Sequence, residues 1–168
     1  MQQLYTFVPE ERLSSILETL QAFIELPIRL IDQDGNVLRA FGSSTAYCDL
    51  LKNSFPGQNA CDALLKNVGS HAQKLGEAYI FSCHADLNHI AYPLTHHEEL
   101  LGTVIVGPFL MDTPDSTLVT GLMRNYNLSP ALTLELYDRL ASLQILPPAK
   151  VQLLKQMMDH LFAPLLPY

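Results

Sequence analysis

The sequence predicts an α+β domain, a five-stranded antiparallel sheet with inserted helices on one face and terminal helices on the other. Three observations lead there. Apolar residues recur at helical spacing near both ends of the chain. Residues 77–111 read as three strands joined by short polar connectors. The last of those strands is apolar on both faces, so it has to be central and covered on each side. A length of 168 residues suits one ordinary domain with one sizeable core. We therefore expect a single domain over 1–168 with its core at 10–162.

Between Pro9 and Leu26, the residues Leu13, Ile16, Leu17, Leu20, Phe23 and Ile24 fall at helical spacing, and Pro9 with Glu10 and Glu11 suits a first turn. Pro27 ends this helix. PIRLID, QDGN and VLRAFG then read as strand, Asp-Gly turn and strand, a hairpin that opens the sheet. From Thr45 to Leu75 the pattern is helical but broken at Pro56-Gly57. It gives a short helix with Tyr47, Cys48 and Leu51 and a longer one from Gln58, capped by Gly76. EAYIFSC, LNHIAYPLT and LLGTVIVGPFLM form an antiparallel meander through the connectors His84–Asp86 and His96–Glu99. A helix follows that fades at Asn125–Asn127, and the next opens on Ser129-Pro130, a fitting N-cap and first position. The last helix starts at Pro147-Pro148 and carries Val151, Leu154, Met157, Met158, Leu161 and Phe162 on a broad apolar stripe. The closing APLLPY looks like a cut.

Helix, hairpin, helices, meander, helices is the plan of PAS and GAF sensor domains, a layout that serves many functions. The composition, 48% apolar and 16% charged, argues against disorder and leaves more apolar surface than a free monomer usually carries. A homodimer through helices 9–26 and 147–163 is expected, because these stripes exceed what half of a sheet can cover, and their shift would carry a signal. The net charge of −7 is the wrong sign for neutralising phosphates and argues against direct nucleic-acid binding. No signal-peptide pattern and no run near the ~20 apolar residues of a membrane span occurs, so a cytoplasmic domain without membrane contact is expected. A Gly-rich phosphate loop, HExxH and G-x-S-x-G are all missing, and the carboxylates are scattered, which argues against an enzyme.

The most specific feature is a series: Cys48, twelve residues, Cys61, twenty-one residues, then Cys83-His84. Three cysteines, an odd number, argue against a disulfide framework. Cys48 and Cys61 lie on the inserted helices that should cover the sheet end where Cys83 sits. In extended structure Cys83 and His84 would face opposite ways, so sharing one metal requires a bend there. The spacing is not that of a zinc knuckle or ribbon. Small buried hydrophobes, ligands of iron, zinc or an iron–sulfur centre, and redox thiols all remain open readings for these residues. His96-His97-Glu98-Glu99 reads as a solvated turn, His89 as a structural histidine, and Met157-Met158 as core filling.

With these residues in place the chain resembles the PocR sensory domain family. The matching elements are Tyr47-Cys48, Cys61, AYIFSCH from Ala78 to His84, Leu87, Pro93, and ELLGTVIVG from Glu99 to Gly107. The resemblance implies a PAS-like ligand-binding domain, fused in most relatives to an AraC-type helix-turn-helix output or a histidine kinase, with small hydrocarbon derivatives such as propanediols as ligands. Two departures stand out. Asp86 replaces a common glycine, and Gly107-Pro108 replaces a common Gly-Gln, so an amide able to hydrogen-bond a ligand is missing.

The function expected is therefore that of a signal-input domain, with a ligand between the sheet and the inserted helices. Tyr47, Leu51, Tyr79, Phe81, Tyr92 and Val106 are the candidate ligand-binding residues. They are mostly apolar with a few hydroxyls, as small-molecule sites generally are. No Arg or Lys occurs between Glu77 and Met111, so a small neutral molecule is favoured over a strongly anionic one. The alternative is a redox or metal sensor built on Cys48, Cys61, Cys83 and His84.

Overall fold

The computed structural model describes residues 3–54 and 60–166. A four-residue helix α1 (Leu4–Phe7), with no counterpart among the expected elements, precedes the expected α2 (Glu10–Ile24). Pro9 sits at the N-cap position of α2, Glu10 and Glu11 occupy its first turn, and Glu25 closes it in the left-handed region. The hairpin strands β1 (Ile28–Asp32) and β2 (Val37–Phe41) follow. Asp32 holds their turn, its carboxylate accepting from the backbone N–H groups of Asp34 and Asn36.

Helix α3 (Ala46–Ser54) is capped by the Thr45 hydroxyl, which accepts from the Cys48 N–H at 3.2 Å. Helix α4 (Ala60–Leu75) ends at Gly76, whose φ of 69° and bonds back to the last turn make it the expected cap. The expected break at Pro56-Gly57 and helix start at Gln58 lie outside the described residues. Strands β3 (Tyr79–Ser82), β4 (Asn88–His96) and β5 (Glu99–Phe109) form the meander. His97 and Glu98 make the tight turn between β4 and β5, both with positive φ and both exposed. Helices α5 (Ser116–Tyr126), α6 (Pro130–Arg139) and α7 (Pro148–Phe162) complete the chain, with Asp115 and Ser129 as side-chain caps of α5 and α6.

The sheet order is β2-β1-β5-β4-β3 and every pairing is antiparallel. β5 is central, as its two apolar faces required. Alternation sorts the side chains. Ile28, Leu30, Ile90, Tyr92, Val104 and Val106 meet α2 and α7 in the main core, through Leu13, Leu17, Val151, Met158 and Phe162. On the opposite face Ile31, Ala91 and Ile105 meet Leu65, Val68 and Ala72 of α4. A third cluster joins Tyr47, Leu50 and Leu51 of α3 to Val119, Leu122 and Leu136 of α5 and α6. Inserted helices on one face and terminal helices on the other is the PAS/GAF-like plan.

Candidate functional site

On the α4 face, a cavity of about 180 Å³ lies where β1 and β4 begin and β2, β3 and β5 end. It is comparable to the ~150 Å³ cavities that hold a benzene-sized molecule. β1 supplies Arg29 and β2 Phe41; α3 supplies Cys48, Leu51 and Lys52; α4 supplies Cys61, Leu64 and Leu65. Phe81 of β3, the connector residues Cys83, His84 and Ala85, His89 of β4, and Gly107-Pro108 at the end of β5 close it. The bend that the cysteine series required is present. The Asp86 N–H donates to the Cys83 carbonyl and the Cys83 N–H to the Leu87 carbonyl, both at 2.9 Å, so the chain doubles back and both Cys83 and His84 reach the cavity. Asp86 takes φ 57°, in the left-handed region that glycine enters most easily and Asp tolerates.

The cavity is poor in negative charge. Burial pushes the thiols of Cys48 and Cys83 up, against opposing hydrogen bonds from Thr45 to Cys48 and from the backbone of Ala85 and Leu87 to Cys83. Both are neutral thiols at physiological pH. Burial lowers the pKa of His84, and its Nε2 lies 3.2 Å from the Cys61 Sγ. Its Nδ1 is buried with no partner among the described residues. His89 is 5% exposed; burial, and next the charge of Arg29, push its pKa down to about 3. Its Nδ1 is 3.3 Å from the Leu87 carbonyl, which can only accept, so the proton sits on Nδ1 and Nε2 keeps its lone pair. The ring stacks on Phe81 at 5.1 Å between centroids. A Cβ on Gly107 would come within 2.9 Å of the His89 ring, so glycine there is what lets the ring sit against β5. Among the described residues, no Asp or Glu lines the cavity, whereas Arg29 and Lys52 do.

The family model described as the sensory domain found in PocR matches residues 6–165. The chain belongs to the PocR sensory domain family. No curated protein and no solved structure matches this PocR domain.

The PocR domain distributes its six candidate ligand residues unevenly. Leu51 and Phe81 line the cavity. Tyr79 shares the face of Phe81 but packs over α4, its hydroxyl directed to the Val68 carbonyl at 3.4 Å. Tyr47 is fully buried in the α3–α5–α6 cluster, its hydroxyl without a partner among the described residues; burial first, and then nearby groups, raise its pKa. Tyr92 and Val106 lie on the opposite face, which corrects the expectation that all six share one pocket. The pairs Tyr79–Ala91 and Phe81–His89 set the phase of β4, and Tyr92, one position out of that phase, faces α7. Its hydroxyl donates to Asp159 at 3.0 Å beside a separate, more polar hollow.

Cys48, Cys61, Cys83 and His84 all reach the one cavity. Among the described residues, however, no group of three or more His, Cys, Asp or Glu side chains is arranged to hold a metal ion. Among the cavity residues that sequence reasoning did not place at the site are Lys52; His89, read there as a structural histidine; and Arg29. The last left a signal, a charge in the middle of the otherwise apolar PIRLI. It also corrects the premise that the sheet lacks a cation, which considered only residues 77–111. No helix among the described residues is long and apolar enough to cross a membrane.

Proposed function

We propose that this PocR domain is a non-catalytic, cytoplasmic signal-input module. Its cavity binds a small organic molecule, and occupancy is relayed to an output module of the full-length protein, an AraC-type DNA-binding domain or a histidine kinase. The cavity itself carries the reading: mostly apolar walls with a few placed polar groups, of a size for a handful of heavy atoms. Its strands also offer a route for the signal. His89 and Gly107 line the cavity, while their neighbours Ile90 and Val106 pack in the core beneath α2 and α7. A shift of these strand ends reaches the terminal helices through close-packed side chains. Thermal denaturation against a panel of short alcohols, diols, acids and small sugars tests the reading, because a ligand of the folded state raises Tm in step with its concentration. The stabilisation should disappear in Phe81→Ala and persist in Tyr92→Phe; an equal shift in Phe81→Ala would place the ligand elsewhere.

The 3.2 Å approach of Cys61 to His84, with two further thiols in the same cavity, favours a second reading, a redox or metal sensor holding iron, zinc or an iron–sulfur centre. Elemental analysis of anaerobically purified protein separates the two. Stoichiometric metal, released in Cys61→Ser, would support the sensor of metal over the sensor of a metabolite.

A further inference from the structure

We infer that the cavity takes a short-chain hydroxycarboxylic acid, with its carboxylate on Arg29 and its hydroxyl donating to His89. This deepens the ligand-sensor reading and rests on it.

Arg29 is a half-buried cation on a wall made largely of apolar carbon, together with the neutral thiols of Cys48 and Cys83 and the imidazoles of His84 and His89. It forms no ion pair with any described residue, no Asp or Glu among the described residues lines the cavity, and Arg39 takes Glu10 as its own partner. A guanidinium withdrawn from water without a counter-charge is costly, and a carboxylate arriving as a bidentate partner removes that cost. Arg29 lines the same cavity as Cys48 of α3 and His89 of β4, and its charge lowers the pKa of both groups. Lys52 adds a second, exposed cation to the lining.

The hydroxyl follows from His89. With its proton on Nδ1 and bonded to the Leu87 carbonyl, the ring presents only an acceptor at Nε2, and no described residue donates to it. A ligand hydroxyl supplies the missing donor. The volume, about 180 Å³, limits the acid to a few carbons. Neither a neutral diol nor an apolar alcohol satisfies Arg29.

Lactate, lactamide and propane-1,2-diol share one three-carbon skeleton and test this directly, by thermal shift and isothermal titration calorimetry, with sodium chloride at matched concentration as the control. Lactate should bind and raise Tm, propionate should bind more weakly, and lactamide and the diol should not bind. Arg29→Gln should weaken lactate by about 10- to 100-fold, the effect of losing a hydrogen bond to a charged group. Arg29→Lys should retain part of the affinity, and Lys52→Gln should cost only a few-fold. Binding of lactamide or the diol with an affinity unchanged in Arg29→Gln would overturn this inference while leaving the cavity as a ligand site. Equal binding of lactate to Arg29→Gln and wild type would overturn it too. So would equal stabilisation by sulfate, or no response to any two- to six-carbon monocarboxylate, with or without a hydroxyl. The ligand-sensor reading fails separately, if Phe81→Ala leaves every observed shift intact.

Discussion

His89 shows how one residue joins stability to the site. Burial holds its imidazole neutral, with a folded-state pKa of about 3 against an ordinary value near 6.5. Between these values the unfolded chain binds a proton that the native state refuses, so stability rises with pH across that interval. The contribution is complete above pH ~6.5 and is lost as pH falls below it, at about 1.4 kcal/mol per pH unit. Urea denaturation at pH 7.5, 6 and 5 should show this slope in wild type and a clearly smaller one in His89→Gln, the half-buried His84 supplying part of what remains. An equal slope in the variant would assign the acid sensitivity to other groups. Tyr92 makes the contrast. Tyr92→Phe removes the hydroxyl that donates to Asp159 and should cost about 1 kcal/mol in urea denaturation, while the ligand response is unchanged. Loss of that response would place the site on the α7 face.

At the scale of elements, the approach of α4 to the sheet governs the cavity, because α4 carries Cys61, Leu64 and Leu65 into it. Gly69 permits that approach. A Cβ there would meet the Thr103 hydroxyl at 2.6 Å and Leu100 at 3.0 Å. Gly69→Ala gains up to ~1 kcal/mol of helix propensity but should be destabilising overall, since overpacking of this kind costs about 1–3 kcal/mol. The Thr103 hydroxyl is itself buried without a partner among the described residues, so Thr103→Ala in the same chain should restore the lost stability. A double variant no more stable than Gly69→Ala alone would contradict this account of the contact. The helices and strands were legible from their periodicities and caps. The connector after Cys83 was legible only as a place where a bend was needed, because its turn is made by hydrogen bonds to Leu87 and by a left-handed Asp86.

Across the whole molecule, the sheet divides two tasks between its faces: one is closed by α2 and α7, and the other is shared by α4 and the cavity. The apolar stripes of α2 and α7, which suggested a partner chain, are largely spent on the sheet. Phe23 and Leu153 remain outside, 76% and 59% exposed. We propose that these two residues seat a homodimer through the terminal helices. Light scattering at tens of micromolar should give the dimer mass, and Phe23→Glu with Leu153→Glu should give the monomer. A monomeric wild type would end the proposal.

The chain by itself determined the kind and order of its elements from α2 onward, the central place of β5 and the family. Helical and strand periods, caps and turn residues are properties of contiguous segments, and the apolar character of β5 on both faces has one structural consequence. Only the tertiary structure decided which face each strand residue takes. That phase depends on hydrogen-bonded register with strands far away in sequence, and a shift of one position sends a side chain to the other side. Register therefore kept Phe81 at the cavity, to which α3 brings Leu51, and moved Tyr92 and Val106 into the main core. The same pairing, of β1 with β5 and of β5 with β4, brought Arg29 and His89 to one wall across 60 residues of chain.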